Sequence, residues 1–139
     1  MKKIFGHRGL PHIYKENSIS GLNKAFEYCD FVETDVRITA DNNLILFHDP
    51  DINGQFINEL STEEILSLLN DVQKDELVLS SRDQIKGNVN FEIKTNSLEK
   101  PQIDILFQKM LSILSTDDIV TSFNSVSYTH LRAHETVKN

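Results

Sequence analysis

Short apolar runs and helix-like segments take turns along this chain, and that alternation constrains its fold more than any other feature. Residues 2–7 (KKIFGH) are β-branched and aromatic and lead into a glycine-bearing loop, the pattern of a buried strand. Asn17 stands where a helix cap is needed, ahead of a segment to about Tyr28 that places Ile19, Leu22, Ala25 and Phe26 on one helical face. Residues 31–38 (FVETDVRI) alternate, and residues 44–47 (LILF) are a continuous apolar run of the kind found in strands buried on both sides. The five residues between them are too few for a helical crossover, so the two runs either pair as a hairpin or are joined by an irregular extended stretch. Ser61 to Glu64 (STEE) is a capping box ahead of Ile65, Leu66, Leu68 and Leu69, which predicts a short helix. Residues 70–87 are polar and weakly patterned and read mostly as loop. Residues 88–94 (NVNFEIK) predict another strand, Pro101 opens a helix to about Leu114, and residues 119–123 (IVTSF) predict a fifth strand.

Strand and helix in alternation favour a parallel sheet covered by helices. A complete eight-stranded barrel takes ~250 residues. This chain has 139, so the expectation is a partial barrel of about five strands over residues 1–124. An incomplete barrel has an open sheet edge and an uncovered apolar interior, from which self-association is expected.

Four polar clusters interrupt these apolar strands, each at the C-terminal end of a strand: His7 with Arg8, Glu33 with Asp35, His48 with Asp49, and Glu92 with Lys94. Barrel enzymes carry their chemistry at that end. The strand period of two sets Glu33 and Asp35 on one face, and likewise Glu92 and Lys94. Phe31, Val32 and Val36 around the first pair argue for burial, where charge requires a partner. Three converging carboxylates repel one another unless a divalent cation lies between them, and calcium, magnesium or manganese suits hard oxygen donors better than zinc. His7 and His48 have the pKa range needed to take a proton from an attacking oxygen and return one to a leaving alkoxide. Arg8 and Lys94 offer fixed positive charge to phosphoryl oxygens. Asp49 and Glu16 read as groups that orient these side chains rather than as ligands.

The ordered series His7-Arg8-Gly9, Glu16-Asn17, Glu33-x-Asp35-Val36, Thr39-x-Asp41, His48-Asp49 and Glu92-x-Lys94 resembles that of the glycerophosphodiester phosphodiesterases, over about residues 4–124. The resemblance implies a TIM-type barrel that hydrolyses glycerophosphodiesters to glycerol 3-phosphate and an alcohol. It implies Glu33, Asp35 and Glu92 as metal ligands for calcium or magnesium, His7 and His48 as the acid/base pair, and Arg8 and Lys94 as substrate-binding residues. It also implies that the glycerol hydroxyl beside the phosphate attacks first, giving a cyclic phosphate that water opens. Two departures are mild: Lys15 stands where the family has proline, and Asn42-Asn43 replaces a glycine, a position where asparagine tolerates the left-handed backbone region. The segment between His48 and Glu92 is short and lacks most family features, so the alcohol is not specified. A phospholipase-like barrel, of the sphingomyelinase D or phosphatidylinositol phospholipase C type, is the enzymatic alternative. An inactive remnant acting as a binding module is the non-enzymatic one.

Other features exclude partner classes. A formal charge of −7 disfavours nucleic acid. No run is long and apolar enough to cross a membrane, and no leader precedes the first strand, so the expected location is the cytoplasm. A single cysteine, Cys29, fits a reducing compartment and reads as packing. Residues 127–136 (SYTHLRAHET) resemble translated vector sequence, so residues 125–139 are expected to be a non-native tail, and the helical spacing of His130 and His134 within it is not read as a metal pair.

Overall fold

The computed structural model describes residues 2–122. Their elements run β1 (Phe5–His7), α1 (Ile19–Ala25), β2 (Phe31–Ile38), β3 (Leu44–Leu46), β4 (Asp51–Ile52), β5 (Gln55–Phe56), α2 (Thr62–Leu69), α3 (Lys74–Leu77), β6 (Asn88–Ile93), α4 (Lys100–Ile113) and β7 (Ile119–Thr121). The five expected strands form one five-stranded sheet, and β4 and β5 make a separate two-stranded ribbon. Phe123, residues 125–139 and the boundary at residue 124 lie outside the described residues.

Four strands of the main sheet are parallel neighbours in the order β1-β2-β6-β7. The fifth, β3, is antiparallel to β2, pairing Val36 with Leu46 and Ile38 with Leu44. The choice left open by the sequence is thus resolved as a hairpin. Its turn places Asn42 at φ 63, the left-handed conformation expected of the residue standing in for glycine. Because β1 pairs only with the first half of β2, from Phe31 to Glu33, the second half of that edge is available to β3. The His48 that follows β3 therefore arrives on a returning hairpin arm, not at the end of a further parallel strand.

One side of the sheet packs on helices. Val32, Val36, Val89, Phe91 and Ile93 meet Leu22 and Ala25 of α1 and Leu106, Phe107 and Met110 of α4 in one core. A second core joins Ile45, Ile52, Ile57, Leu60, Ile65, Leu77 and Val78 beneath α2 and α3. The capping box at Ser61 and Glu64 forms as predicted, and α4 starts one residue before Pro101, with Glu99 and Gln102 capping it. Two expectations need correction. Helix α1 is shorter than residues 17–28: its cap is Ser18, whose hydroxyl accepts from Gly21 N, because Asn17 sits at φ 59 and commits its side chain elsewhere. Residues 70–87 are more than loop, since α3 forms there and Val78 bridges to Ile45.

The other side of the sheet faces the barrel interior. Residues paired across neighbouring strands share a face, so the pairs His7–Glu33, Glu33–Asn90, Asp35–Glu92 and Glu92–Thr121 line this side with polar groups. The polar residues of the site take the C-terminal part of this face, while the expected uncovered apolar interior persists at the strand starts, where Phe5, paired with Phe31, and Ile119, paired with Asn90, are exposed.

Candidate active site

Glu33 and Asp35 are buried, at 8% and 0% exposure. Strand period carries both inward from β2, and β6 brings Glu92 opposite Asp35. One carboxylate oxygen from each of the three lies within 4.8 Å of the others. Two buried oxygens of the cluster, Glu33 Oε1 and Asp35 Oδ1, accept no hydrogen bond. A buried carboxylate oxygen without a donor is costly unless a cation fills the gap. Ligand distances of roughly 2.3–2.6 Å let calcium span such a cluster.

The remaining oxygens are held. Asp35 Oδ2 receives the side-chain N–H of Asn17 at 3.1 Å and lies 3.2 Å from Arg8 Nε. That Arg8 contact is an ion pair without a hydrogen bond; the guanidinium donates instead to Glu16 at 2.9 Å, and the Arg8 backbone N–H donates to the Glu33 carbonyl at 2.8 Å and reaches Glu33 Oε2 at 3.3 Å. His7 Nε2 stands 3.5 Å from Glu33 Oε2. Lys94 Nζ donates to Glu92 Oε1 at 2.6 Å and lies 3.6 Å from Asp35 Oδ1. Six of the seven candidate residues thus meet around the carboxylates. The seventh, His48, enters from the hairpin arm; its Nδ1–H donates to Asp49 Oδ1 at 2.7 Å, since an ionised carboxylate can only accept, which leaves Nε2 free.

The electrostatics of the three carboxylates are uneven. Burial, then the charges of Asp35 and Glu92, push Glu33 up to about 7. Burial is the largest single influence on Glu92 and works to raise it, but the hydrogen bond and charge of Lys94, together with hydrogen bonds to Asp35 and Glu33, hold it below the ordinary range. The cluster therefore carries a carboxyl that holds a proton readily and would surrender it to a cation.

Two buried residues beside the site escaped the sequence reading. Asn17, expected as a helix cap, instead fills the gap on the β2 edge between β1 and β3: its Oδ1 accepts from Thr34 Oγ1 at 2.9 Å and from Asp35 N at 3.3 Å. Arg37 continues the inward series Glu33, Asp35, Arg37, and that period of two was the signal available for it. The Thr39-x-Asp41 motif is structural: Asp41 Oδ1 accepts from Thr39 Oγ1 at 2.6 Å and from the backbone and hydroxyl of Thr62, both at 3.0 Å, which ties the hairpin turn to the start of α2.

Residues 7–137 match the glycerophosphoryl diester phosphodiesterase family. A glycerophosphodiester phosphodiesterase of Caldanaerobacter subterraneus subsp. tengcongensis is 28% identical over 143 residues, covering 89% of this chain and 59% of the relative. Among solved structures, a glycerophosphodiester phosphodiesterase from Thermotoga maritima superposes with TM-score 0.70 at 22% identity, covering 95% of this chain and 59% of that one. A phosphodiesterase from Oleispira antarctica, solved in complex with the product sn-glycerol-3-phosphate, gives 0.73 at 20% identity, covering 96% of this chain and 62% of that one. At these identities the structural likeness speaks to the fold, and the chain spans about three-fifths of the proteins it matches.

Proposed function

The chain belongs to the glycerophosphoryl diester phosphodiesterase family, and from that premise we propose that its site hydrolyses glycerophosphodiesters to glycerol 3-phosphate and an alcohol with the help of a divalent cation, calcium or magnesium. Among the described residues the fold is α/β, a mostly parallel sheet of the TIM-barrel type. The observation that carries the proposal is the trio Glu33, Asp35 and Glu92, with two donor-free buried oxygens, set between guanidinium, ammonium and imidazole groups.

Glu33, Asp35 and Glu92 would hold the cation, which supplies positive charge to the phosphoryl oxygens as negative charge develops there. Arg8 presents N–H donors beside Asp35, and Lys94 is tethered to Glu92, so both cations stand ready at the rim to orient the phosphate. One imidazole takes the proton of the attacking hydroxyl as the new P–O bond forms. The other gives a proton to the departing alkoxide as the old P–O bond breaks, so the pair ends with one proton moved between them. His48 suits the second task as an imidazolium, whose Nδ1–H Asp49 would hold while Nε2–H gives the proton. His7, 69% exposed at its side chain and near Glu33, suits the first. The reaction needs no redox group.

A small-molecule substrate agrees with the product bound by the Oleispira antarctica protein. Among the described residues no helix is long and apolar enough to cross a membrane. A cytoplasmic location is part of the proposal and agrees with Cys29 being free. Substrate class is tested by offering the purified chain, with calcium, glycerophosphocholine and glycerophosphoethanolamine beside sphingomyelin and phosphatidylinositol. Glycerol 3-phosphate from the first two is expected. Turnover confined to the lipids would replace this reading with a phospholipase-like one.

A further inference from the structure

Arg37 is 5% exposed and stands two residues beyond Asp35 on β2. A guanidinium removed from water is costly unless its donors are used. All three hydrogen bonds seen for Arg37 go to neutral acceptors. Nε and Nη2 both donate to the backbone carbonyl of His48, at 3.0 and 2.6 Å, and Nη1 donates to Asn96 Oδ1 at 3.0 Å. Two N–H groups of a planar fork converging on one oxygen restrict that peptide more than a single donor would.

The acceptor lies where the strand ladder runs out. The ladder bond nearest to His48 runs from Phe47 N–H to the Asp35 carbonyl at 3.0 Å. Beyond it, the His48 peptide is taken up by Arg37, and the ring by Asp49. The anchor itself rises from β2, the strand that supplies Glu33 and Asp35, so one rigid element carries two of the three proposed cation ligands and the clamp on the histidine.

We propose that Arg37 is a positioning residue for His48: its guanidinium fixes the main chain from which the imidazole projects, presenting Nε2 to the phosphoryl centre. This rests on the reading of His48 as a proton-transfer group. None of the hydrogen bonds of Arg37 goes to a proposed cation ligand. Its loss should leave binding intact and slow the proton transfer, because displacement of a reacting group by about an ångström costs on the order of a hundredfold in rate.

The test uses Arg37→Ala and Arg37→Gln in the full chain. It reads kcat and KM for glycerophosphocholine with calcium, calcium affinity by calorimetry, thermal unfolding, and the ring resonances of His48 by NMR. The expected result is a fall in kcat of roughly a hundredfold, with KM and calcium affinity little changed, and His48 resonances that broaden and shift. Guanidinium at millimolar concentration should restore part of the activity of Arg37→Ala and none to His48→Ala. A folded variant that keeps wild-type kcat and an unchanged His48 signal overturns the proposal. So does a loss of kcat that only follows a loss of calcium affinity or of folded protein, since that marks a structural staple. If Arg37→Ala does not fold, Arg37→Gln decides. A wild-type chain that releases no glycerol 3-phosphate would sink the hydrolysis reading instead, and the His48 resonances, compared between wild type and Arg37→Gln, then judge the clamp alone: if they coincide, it fails.

Discussion

Asp35 shows how much of a site is decided one residue at a time. Its Oδ2 is held by Asn17 and Arg8, and its Oδ1 is left without a donor. Asn17→Ala removes the amide that makes this division. We expect cation affinity to fall ten- to a hundredfold, as is typical when a group orienting a ligand is lost, and stability to fall by about 1–3 kcal/mol for the buried partners left unsatisfied; calorimetry and urea unfolding measure the two. Unchanged affinity in the variant would show that Asp35 needs no such support. Glu33 makes a second prediction through pH. Its folded value, about 7, lies above the ordinary 4.5. A raised carboxyl contributes stability that is fully present below its unfolded value and is lost as pH rises through the folded one. The cation-free chain should therefore lose stability between about pH 4.5 and 7, and saturating calcium should remove that loss by favouring the ionised form. Parallel curves of melting temperature against pH with and without calcium would contradict it. At this scale the sequence was informative where chemistry follows strand period, as for Glu33, Asp35 and Glu92. It marked Asn17 as a helix cap and as part of the Glu16-Asn17 motif but not as a partner of Asp35, because the side chain serves a strand 18 residues away and a cap next to a helix was the simpler reading.

Among the elements, the hairpin of β2 and β3 does the most to shape the site, since it returns His48 toward the end of β2 from which Asp35 projects. Its turn depends on Asn42 at φ 63. Replacement by glycine should be neutral or slightly stabilising there, whereas valine should cost about 1–2 kcal/mol because a β-branched side chain resists the left-handed region. Urea unfolding of the two variants gives the comparison, and equal midpoints would refute the turn assignment. The sequence could not choose between hairpin and irregular stretch because apolar alternation reports burial, not the partner strand. Residues 70–87 were obscured for another reason. Their buried side chains, Leu77, Val78, Leu79 and Ile85, divide between two cores, so no single helical or strand period runs through them. Capping chemistry was more readable, as at Ser61 and Glu64, because both partners lie within one turn.

For the whole molecule, the alternation of strand and helix was enough to predict a parallel α/β sheet, and the order of short motifs was enough to predict the family. The polar part of the barrel interior was less legible, because Asn90 and Thr121 become interior only once the register with β2 is known; Thr121 Oγ1 donates to Asn90 Oδ1 at 3.2 Å. Among the described residues, β1 pairs with β2 alone and β7 with β6 alone. Strand edges of this kind favour self-association, so sedimentation velocity should show species larger than the 15.9 kDa chain as concentration rises; a single monomeric boundary throughout would show that the edges are covered. The central claim is that the three carboxylates form a cation-dependent phosphodiesterase site. It is tested most directly by following glycerol 3-phosphate release from glycerophosphocholine by the wild-type chain and by Glu33→Ala, each with calcium and with a chelator. Release by the wild type with calcium, abolished by the chelator and by the substitution, is the predicted result. Release that survives both would contradict the account.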